Sequence, residues 1–348
     1  MTKARAFAAL SAGQTVEPLT IERRDLRPGD VAMDILYCGI CHTDLHMIRN
    51  DWEQTRYPLV PGHEIVGRVS SVGSDVSVFK PGDLVAVGCM VDSCRTCSPC
   101  QSGEEQYCVN QFTGTYGGVD RHDHTPSHGG YAESIVVDKD FVLRVPEGLD
   151  PKRTGPILCA GVTAWSALRH AGVGPGTKVA VAGLGGIGHM GVKLAVGLGA
   201  EVTVVTGSPR KYDDALALGA HSVLVSSDQE AMGAAMGTVD VVLDTIPVQH
   251  DLSPYLMLTG VGGKITVVGM IDMVPSFHTG ILMMARRVLG GSTIGSIRET
   301  QELLDFCAAN NIDADCEMLS VSQINEGFER MERSDVKYRF VIDMTTLD

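Results

Sequence analysis

Four cysteines lie within fifteen residues, with two residues between each of the first three and seven before the last: Cys94, Cys97, Cys100 and Cys108. Four thiolates complete the tetrahedral coordination of Zn²⁺, so a site of this kind orders a lobe and leaves no position for a substrate. Free thiols or an iron–sulfur cluster are the alternatives, but the proline-terminated spacing of many cluster sites is absent. The pattern predicts a structural zinc site.

A second group of possible metal ligands is dispersed along the chain: Cys41, His63 with Glu64, and Cys159. Spacing alone does not join them. A single cysteine is more often a small buried apolar residue, and a single histidine more often belongs to a loop or to the core. From the residue types alone, ligand and structural roles both remain open.

A glycine-rich turn follows an apolar run, Lys178–Ala182, and precedes a helical pattern; its residues are Gly183, Leu184, Gly185, Gly186, Ile187 and Gly188. Glycines permit a tight turn and close approach of a ligand to the backbone, and the helix N-terminus favours a pyrophosphate. The strand before the motif and the helix after it are the context that the motif requires. We therefore predict that Gly183, Gly185, Gly186, Ile187 and Gly188 bind a dinucleotide.

The end of the next predicted strand indicates which dinucleotide binds. An acidic residue there would bind the ribose hydroxyls of NAD, but the chain has Thr206, Ser208, Arg210 and Lys211 instead. Hydroxyl groups and two cations favour the 2′-phosphate of NADP. The alternative is that Arg210 and Lys211 are solvated charges at a helix start.

The predicted elements around these motifs divide the chain into two parts with different secondary-structure patterns. The first 150 residues contain short apolar runs between Pro-Gly turns, such as Val31–Tyr37, Ile65–Val72 and Leu84–Val87, which indicate a compact β domain. From Lys178, strands alternate with helical stretches, which predicts a doubly wound parallel sheet. Its expected strands are Lys178–Ala182, Ala200–Thr206, Ser222–Val225, Val239–Ile246, Lys264–Met270 and Ser292–Ile297. Helices over Glu299–Ala309 and Ser322–Glu332 and a strand over Tyr338–Met344 should follow.

Composition limits the function classes. The chain has 348 residues, 44% of them hydrophobic, and a formal net charge of −14. Length suggests two domains, and the negative charge disfavours nucleic acid and anionic membranes as partners. We find no signal peptide pattern or transmembrane pattern, and ten cysteines are more consistent with metal ligands than with disulfides in a reducing compartment. We expect a cytoplasmic protein.

Several motifs follow one another along nearly the whole chain: Gly62-His63-Glu64 with Gly67, Lys80-Pro81-Gly82-Asp83, Gly129-Gly130-Tyr131, Leu158-Cys159-Ala160-Gly161 and Gly295-Ser296-Ile297, besides the cysteine lobe and the glycine turn. Together they resemble the zinc-dependent medium-chain alcohol dehydrogenases. Within that family they are most similar to the cinnamyl alcohol dehydrogenase-like branch, which includes bacterial broad-specificity NADP-dependent aldehyde reductases. The resemblance implies a GroES-like β-barrel-type catalytic domain over residues 1–154 and 298–348. It also implies a Rossmann dinucleotide-binding domain over residues 155–297.

The resemblance assigns the metal ligands and catalytic residues. It implies two zinc ions per chain, a catalytic one held by Cys41, His63 and Cys159 with Glu64 as an alternating ligand, and a structural one held by the four-cysteine lobe. Thr43 would contact the substrate oxygen and His46 would pass a proton outward; a helix cap and a surface histidine are the alternatives. Asp44 would orient a ligating histidine.

Other positions are expected to contact the cofactor or the substrate. His42 and Ser296 are expected to contact the NADP cofactor. Candidate substrate-pocket residues, each of which could equally be core, are Trp52, Cys89, Phe112 and Ile297. The branch is commonly dimeric through edge strands, here near Gly290–Ile297.

The predicted reaction is hydride transfer between NADP(H) and primary alcohols or aldehydes, with aromatic and medium aliphatic substrates expected. A NAD-dependent zinc polyol or formaldehyde-type dehydrogenase is the alternative enzyme, and a non-catalytic NADP-binding sensor is the alternative of another class.

Overall fold

The computed structural model describes residues 1–270 and 273–347. The chain forms two compact units, Met1–Cys159 with Ser296–Asp348, and Ala160–Gly295. The first unit is therefore discontinuous in sequence. Its boundaries lie a few residues from the predicted divisions at 154/155 and 297/298, and residues 271, 272 and 348 of the predicted domains lie outside the described residues.

The strands of the described residues are β1 (Thr2–Ala8), β2 (Glu17–Arg23), β3 (Asp30–Ile40), β4 (Ile65–Val72), β5 (Leu84–Val87), β6 (Met90–Asp92), β7 (Thr113–Gly114), β8 (Ser134–Asp138), β9 (Leu143–Arg144), β10 (Lys178–Ala182), β11 (Glu201–Thr206), β12 (Ser222–Val225), β13 (Val239–Asp244), β14 (Thr259–Val267), β15 (Val288–Gly291), β16 (Cys316–Ser320) and β17 (Arg339–Asp343). The helices are α1 (His42–Arg49), α2 (Ser98–Gln101), α3 (Pro151–Thr154), α4 (Ala160–Ala171), α5 (Gly186–Gly197), α6 (Tyr212–Ala217), α7 (Gln229–Ala234), α8 (Ser253–Leu258), α9 (Gly280–Met283), α10 (Ile297–Asn310) and α11 (Ile324–Glu332).

The first unit is built on a mixed, mostly antiparallel sheet in the order β16-β17-β3-β4-β5-β9, with β8 also paired to β3. The long strand β3 pairs with β4 and β17, and the register aligns Cys38 with Ile65 and Ile40 with Phe340. The end of β3 and the starts of its two neighbours therefore meet at one edge of the sheet. Of the candidate metal ligands, Cys41 directly follows the end of β3 there, and His63 and Glu64 directly precede the start of β4.

The second unit is a parallel sheet in the order β12-β11-β10-β13-β14-β15. Counted within the unit, this is the order 3-2-1-4-5-6 of a doubly wound dinucleotide-binding sheet. The central strand β10 has the sequence KVAVA and is buried after its first residue, as expected for a strand covered on both faces. The predicted doubly wound parallel architecture is confirmed.

Two predicted strands are misplaced. The strand expected over Ser292–Ile297 is wrong, because the last strand of the sheet is Val288–Gly291 and Ser296 begins a helix instead. The strand expected over Lys264–Met270 spans Thr259–Val267. Apolar β-branched runs continue past both strand ends, so side-chain pattern alone did not mark where pairing stops. Within residues 1–270 and 273–347, no helix is long and apolar enough to cross a membrane.

Candidate metal and dinucleotide sites

Four dispersed side chains converge in the first unit. Cys41 is the N-cap residue of α1, His63 and Glu64 precede β4, and Cys159 ends the unit after a short 3-10 turn. The Cys41 and Cys159 sulfurs are 3.9 Å apart, and the His63 Nε2 atom is 3.3 Å from the Cys159 sulfur. One ligand atom from each of the four residues lies within 4.8 Å of the others.

Glycines make room for this convergence. A Cβ atom on Gly39 would lie 1.9 Å from the Glu64 Oε2 atom, so only glycine allows the carboxylate to pack against β3. Gly62 has a φ of +101°, and a Cβ there would lie 2.7 Å from the Cys38 sulfur. Glycine is therefore required at both positions, because neighbouring side chains occupy the space that a Cβ would fill and because Gly62 has a positive φ.

Asp44 is fully buried and holds the ligand segments together. Its carboxylate accepts hydrogen bonds from the backbone N–H of Cys41 at 2.8 Å, the backbone N–H of Gly62 at 3.1 Å and the hydroxyl of Tyr131 at 3.2 Å. Its Oδ1 atom lies 3.5 Å from the His63 Nδ1 atom. A carboxylate at Nδ1 orients the ring so that Nε2 is left for a metal ion, which is the role that the family resemblance implies for Asp44.

The electrostatics of the cluster favour a thiolate at Cys41, whereas the hydrogen bonds of Cys41 and Cys89 and burial raise the pKa of Cys159 well above its ordinary value. The pKa of the Cys41 thiol lies well below its ordinary value, because Cys159 donates a hydrogen bond to it and the Arg339 charge is close, although burial opposes this. Glu64 is fully buried and forms an ion pair with Arg339. Burial raises the pKa of Glu64 to about 7 against the opposing charge of Arg339.

The donor set fits Zn²⁺. Tetrahedral coordination with Zn–S bonds of about 2.3 Å separates two sulfurs by about 3.8 Å, close to the 3.9 Å between Cys41 and Cys159. The Glu64 Oε2 atom is buried and has no hydrogen-bond partner among the described residues, so the carboxylate can also serve as a donor. Two sulfurs and one nitrogen leave the fourth tetrahedral position either for the Glu64 carboxylate or for a substrate oxygen.

The four-cysteine lobe lies between β6 and β7. The Cys94 and Cys100 sulfurs are 3.9 Å apart, the Cys94 backbone N–H donates to the Cys108 sulfur at 3.5 Å, and the Cys97 backbone N–H donates to the Cys94 sulfur at 3.4 Å. All four sulfurs lie within 4.8 Å of one another. The pKa of Cys94 is lowered to about 5 by hydrogen bonds, first that of Asn110. The four sulfurs suit a closed zinc site.

Helix α1 carries the predicted proton-transfer residues. Thr43 lies in the first turn and is not the helix cap, because Cys41 occupies that position. The His46 Nδ1 atom is 2.7 Å from the Asp51 carboxylate, and its ring lies 5.2 Å from the Trp52 ring. His42 is exposed, with its ring 6.5 Å from that of His46.

The four predicted substrate-pocket residues are all half-buried. The Cys89 sulfur donates to the Leu158 carbonyl at 3.8 Å, and the hydrogen bond of Cys159 lowers the pKa of Cys89, which places it beside the metal donors. The Trp52 ring lies 5.2 Å from the His46 ring.

Two residues around the cluster were not predicted from the sequence, and a third, Tyr131, was named there only as part of a motif. Arg339 pairs with Glu64, Tyr131 donates to Asp44, and the Tyr116 ring stacks on His63 with 5.6 Å between centroids. The arginine that begins the apolar strand RFVID was a usable signal, because a charge in a buried strand needs a partner. Tyr116 carried no comparable signal.

In the second unit, the glycine turn has the geometry that its motif requires. Gly183 has a φ of +91°, and a Cβ on Gly188 would lie 2.2 Å from the Gly183 carbonyl oxygen. Gly185 is the N-cap residue of α5, and the space beside its Cα is open. Gly186 and Ile187 follow in the first turn, where helix N–H groups lack intrahelical partners. This open helix start suits a pyrophosphate.

The candidate 2′-phosphate residues lie next to this turn, because the Gly183 N–H donates to the Val205 carbonyl at 2.9 Å. The Lys211 Nζ atom donates to the Leu184 carbonyl at 2.8 Å, while Arg210 is exposed. The Thr206 hydroxyl accepts from the Ser208 N–H at 3.2 Å, and the Ser208 hydroxyl accepts from the Arg210 N–H at 3.3 Å. Both hydroxyls therefore shape the turn that presents the two cations.

Ser296 belongs to the first unit and caps helix α10. Its hydroxyl accepts from the Glu299 N–H at 3.1 Å, and the Glu299 carboxylate accepts from the Ser296 N–H at 2.9 Å. The residue is fully buried. Its side chain is thus engaged in a capping box.

Two family models match the chain: the alcohol dehydrogenase GroES-like domain over residues 27–147 and the zinc-binding dehydrogenase over residues 186–309. The chain is 48% identical to NADP-dependent alcohol dehydrogenase C 1 of Mycolicibacterium smegmatis, with 100% of this chain and 99% of that protein aligned. It is also 48% identical to aldehyde reductase YahK of Escherichia coli, with 99% of each aligned.

Two solved structures are also similar to this chain over nearly its whole length. A cinnamyl alcohol dehydrogenase from Sorghum bicolor superposes with a TM-score of 0.95 at 42% identity, covering 99% of this chain and 98% of that one. The cinnamyl alcohol dehydrogenase of Helicobacter pylori complexed with NADP(H) gives 0.92 at 38% identity, covering 99% of both. The predicted GroES-like and Rossmann fold class is confirmed. Together with the two groups of candidate metal ligands and the glycine turn, these matches show that the chain belongs to the zinc-binding alcohol dehydrogenase family.

Proposed function

We propose that the protein is a zinc-dependent alcohol dehydrogenase that works as an NADP(H)-dependent aldehyde reductase on primary alcohols and aldehydes, including aromatic and medium aliphatic ones. The observation that carries the proposal is the convergence of Cys41, His63 and Cys159 with Asp44 behind the histidine ring. The relatives named above as NADP-dependent alcohol dehydrogenase and aldehyde reductase support the substrate class.

Bound Zn²⁺ polarises a carbonyl oxygen and stabilises its negative charge, and bound NADPH supplies the hydride. Cys41, His63 and Cys159 would hold the ion, and Glu64 would alternate between the metal and Arg339. As the aldehyde carbon gains a hydride, its oxygen gains a proton, and the products are the alcohol and NADP⁺. We assign that proton to the Thr43 hydroxyl and its replacement from solvent to His46, which Asp51 orients.

The cofactor contacts belong to the glycine turn and the cations beyond β11. Gly183, Gly185, Gly186, Ile187 and Gly188 would contact the pyrophosphate through their backbone. Arg210 and Lys211 would contact the 2′-phosphate, supported by Thr206 and Ser208. His42 and Ser296 are assigned lesser cofactor contacts. Arg210→Ala should raise the KM for NADPH about tenfold, the loss of one charge-assisted contact, and leave the KM for NADH unchanged.

The remaining proposals concern substrate, assembly and location. We assign Trp52, Cys89, Phe112 and Ile297 to the wall of the substrate pocket. We assign a homodimer to the edge of the second unit, because β15 is the last strand of its sheet and is exposed along its length. A cytoplasmic location is supported by ten cysteines that form no disulfide.

The test compares NADPH and NADH oxidation with cinnamaldehyde and measures zinc in the same samples. Wild type should turn over faster with NADPH and contain about two zinc ions per chain. Cys41→Ser should lose turnover and one zinc ion. The matched control Cys316→Ser, a half-buried cysteine outside both clusters, should retain both.

Other results would favour the alternatives. Undiminished turnover by Cys41→Ser would overturn the catalytic assignment. Preference for NADH would favour a polyol or formaldehyde-type dehydrogenase. NADPH binding with zinc only in the four-cysteine lobe and no turnover would favour a sensor.

A further inference from the structure

A buried carboxylate and a histidine meet in the second unit where β13 ends. Asp244 is fully buried and accepts a hydrogen bond from the Ile246 N–H at 3.1 Å. Its Oδ2 atom is 3.1 Å from the His250 Nε2 atom, and the His250 Nδ1 atom is 2.8 Å from the Val248 carbonyl oxygen. Both ring nitrogens therefore face oxygen atoms.

The number of hydrogen atoms on the His250 ring nitrogens and the Asp244 carboxyl group determines how many protons the pair binds. The Val248 carbonyl can only accept, so Nδ1 must carry a hydrogen, and a neutral imidazole has no second one to offer. The contact between Nε2 and Asp244 then needs a further proton, either on the ring or on the carboxyl group. Either form binds one proton more than a neutral histidine beside an ionised aspartate.

The segment held by this pair supports the glycine turn. The Thr245 hydroxyl donates to the Ala182 carbonyl at 2.8 Å, at the end of β10. A Cβ on Gly183 would lie 2.9 Å from the Thr245 Oγ1 atom and 3.2 Å from the Ile246 Cγ1 atom. Thr245 and Ile246 thus form the surface against which the turn packs, and a shift of either would move the turn.

We propose that Asp244 and His250 are a positioning pair for the dinucleotide, in which one shared proton holds the segment from Thr245 to His250 against the glycine turn. Loss of the proton at high pH leaves a ring nitrogen lone pair facing an oxygen, releases one of the two contacts and weakens NADPH binding. The inference rests on the proposal that the glycine turn binds the cofactor.

Two titratable neighbours do not obscure the effect between pH 7 and 9. The Tyr255 ring meets the His250 ring edge-on at 5.4 Å, and burial raises its pKa, so it stays neutral. The pKa of Asp251 is lowered by hydrogen bonds from Ser253, so it stays ionised. The 2′-phosphate has a second pKa near 6 and is dianionic throughout this range.

The test measures the dissociation constant of NADPH by fluorescence titration of the zinc-loaded protein from pH 7 to 9. Asp244→Asn is the decisive variant. Its Oδ1 can still accept from Ile246 and its amide can donate to the neutral His250 ring, so both contacts persist without a titrating proton. His250→Phe removes both contacts, and His221→Gln replaces an exposed histidine of the same unit as a control.

For wild type and the His221 control we expect the dissociation constant to rise about fivefold from pH 7 to 9, the worth of one hydrogen bond. Asp244→Asn should bind as wild type does at pH 7 and keep that affinity at pH 9. His250→Phe, which loses both contacts, should bind about 25-fold more weakly than wild type does at pH 7, and its affinity should be the same at pH 9. The same pH profile for wild type and Asp244→Asn would overturn the pairing alone. Failure of wild type to bind NADPH at any pH would also overturn the cofactor site.

Discussion

Substitutions at two glycines of the dinucleotide turn, Gly185 and Gly188, should have different effects on fold stability and on cofactor binding. A Cβ on Gly188 would lie 2.2 Å from the Gly183 carbonyl oxygen and 3.1 Å from the Thr245 Oγ1 atom. A Cβ on Gly185 would meet no atom within 4 Å, and its φ of −130° suits other residues. Gly188→Ala should therefore disturb the packing of α5 on β10, whereas Gly185→Ala should leave it intact.

The magnitudes follow from these distances. Ordinary contact for a Cβ begins at about 3.4 Å, so Gly188→Ala forces a backbone movement of roughly 1 Å, and overpacking of this kind costs about 1–3 kcal/mol. For a unit of this size, the loss lowers Tm by about 2–12 °C. Gly185→Ala should cost at most about 1 kcal/mol, the difference between glycine and alanine at an N-cap.

Cofactor binding should respond differently from stability. The methyl group of Gly185→Ala occupies the open space that the turn leaves for a pyrophosphate, so the dissociation constant of NADPH should rise about tenfold or more. Calorimetric Tm and NADPH titration on the same samples provide the two readouts. Gly233→Ala, exposed in the last turn of α7 with open space around it, is the control and should change stability by less than about 1 kcal/mol and leave NADPH affinity unchanged. Unchanged NADPH affinity in Gly185→Ala would refute the assignment of the turn.

Three further changes test the other sites. Cys97→Ser should reduce zinc content from about two ions per chain to about one and lower Tm, because the lobe loses its closed site; two retained ions would contradict this. Leu289→Lys, on the exposed edge strand β15, should convert the proposed dimer to a monomer in light scattering, and a persistent dimer would exclude that edge. Arg339→Met should lower the free energy of unfolding by about 3 kcal/mol or more, because Glu64 stays buried without its partner, and adding Glu64→Gln should recover part of the loss. Denaturant titration of wild type, the single variant and the double variant decides.

The sequence was sufficient to predict those sites whose residues lie close together along the chain. The four cysteines of the lobe lie in one loop, and the glycine turn lies between a strand and a helix that adjoin it in sequence. Strand β10 was predicted with its observed ends, because a charged residue precedes its apolar run and a glycine with positive φ follows it. In such segments the sequence neighbours are also the spatial neighbours.

The sequence was insufficient where a helix cap competed with a β-rich run. Residues 292–297 include Thr293, Ile294 and Ile297, which favour a strand, yet Ser296 and Glu299 form reciprocal hydrogen bonds that start α10. The S-x-x-E spacing was present but was outweighed by β propensity. Side-chain types alone also gave no reason to bring Tyr116 onto His63, because that contact depends on tertiary packing.

The metal cluster depends on strand register more than on any one motif. Antiparallel pairing aligns Cys38 with Ile65, and β17 aligns Phe340 with Ile40. Glu64 and Arg339 are the residues just before Ile65 and Phe340, so this register brings their side chains to the same edge of the sheet. A slip of one residue in β17 would turn Arg339 to the opposite face and leave Glu64 buried without its charge partner. Because an isolated buried charge costs several kcal/mol, the ion pair disfavours that slip, and a candidate metal ligand with its charge partner thus helps to select the register that assembles the cluster.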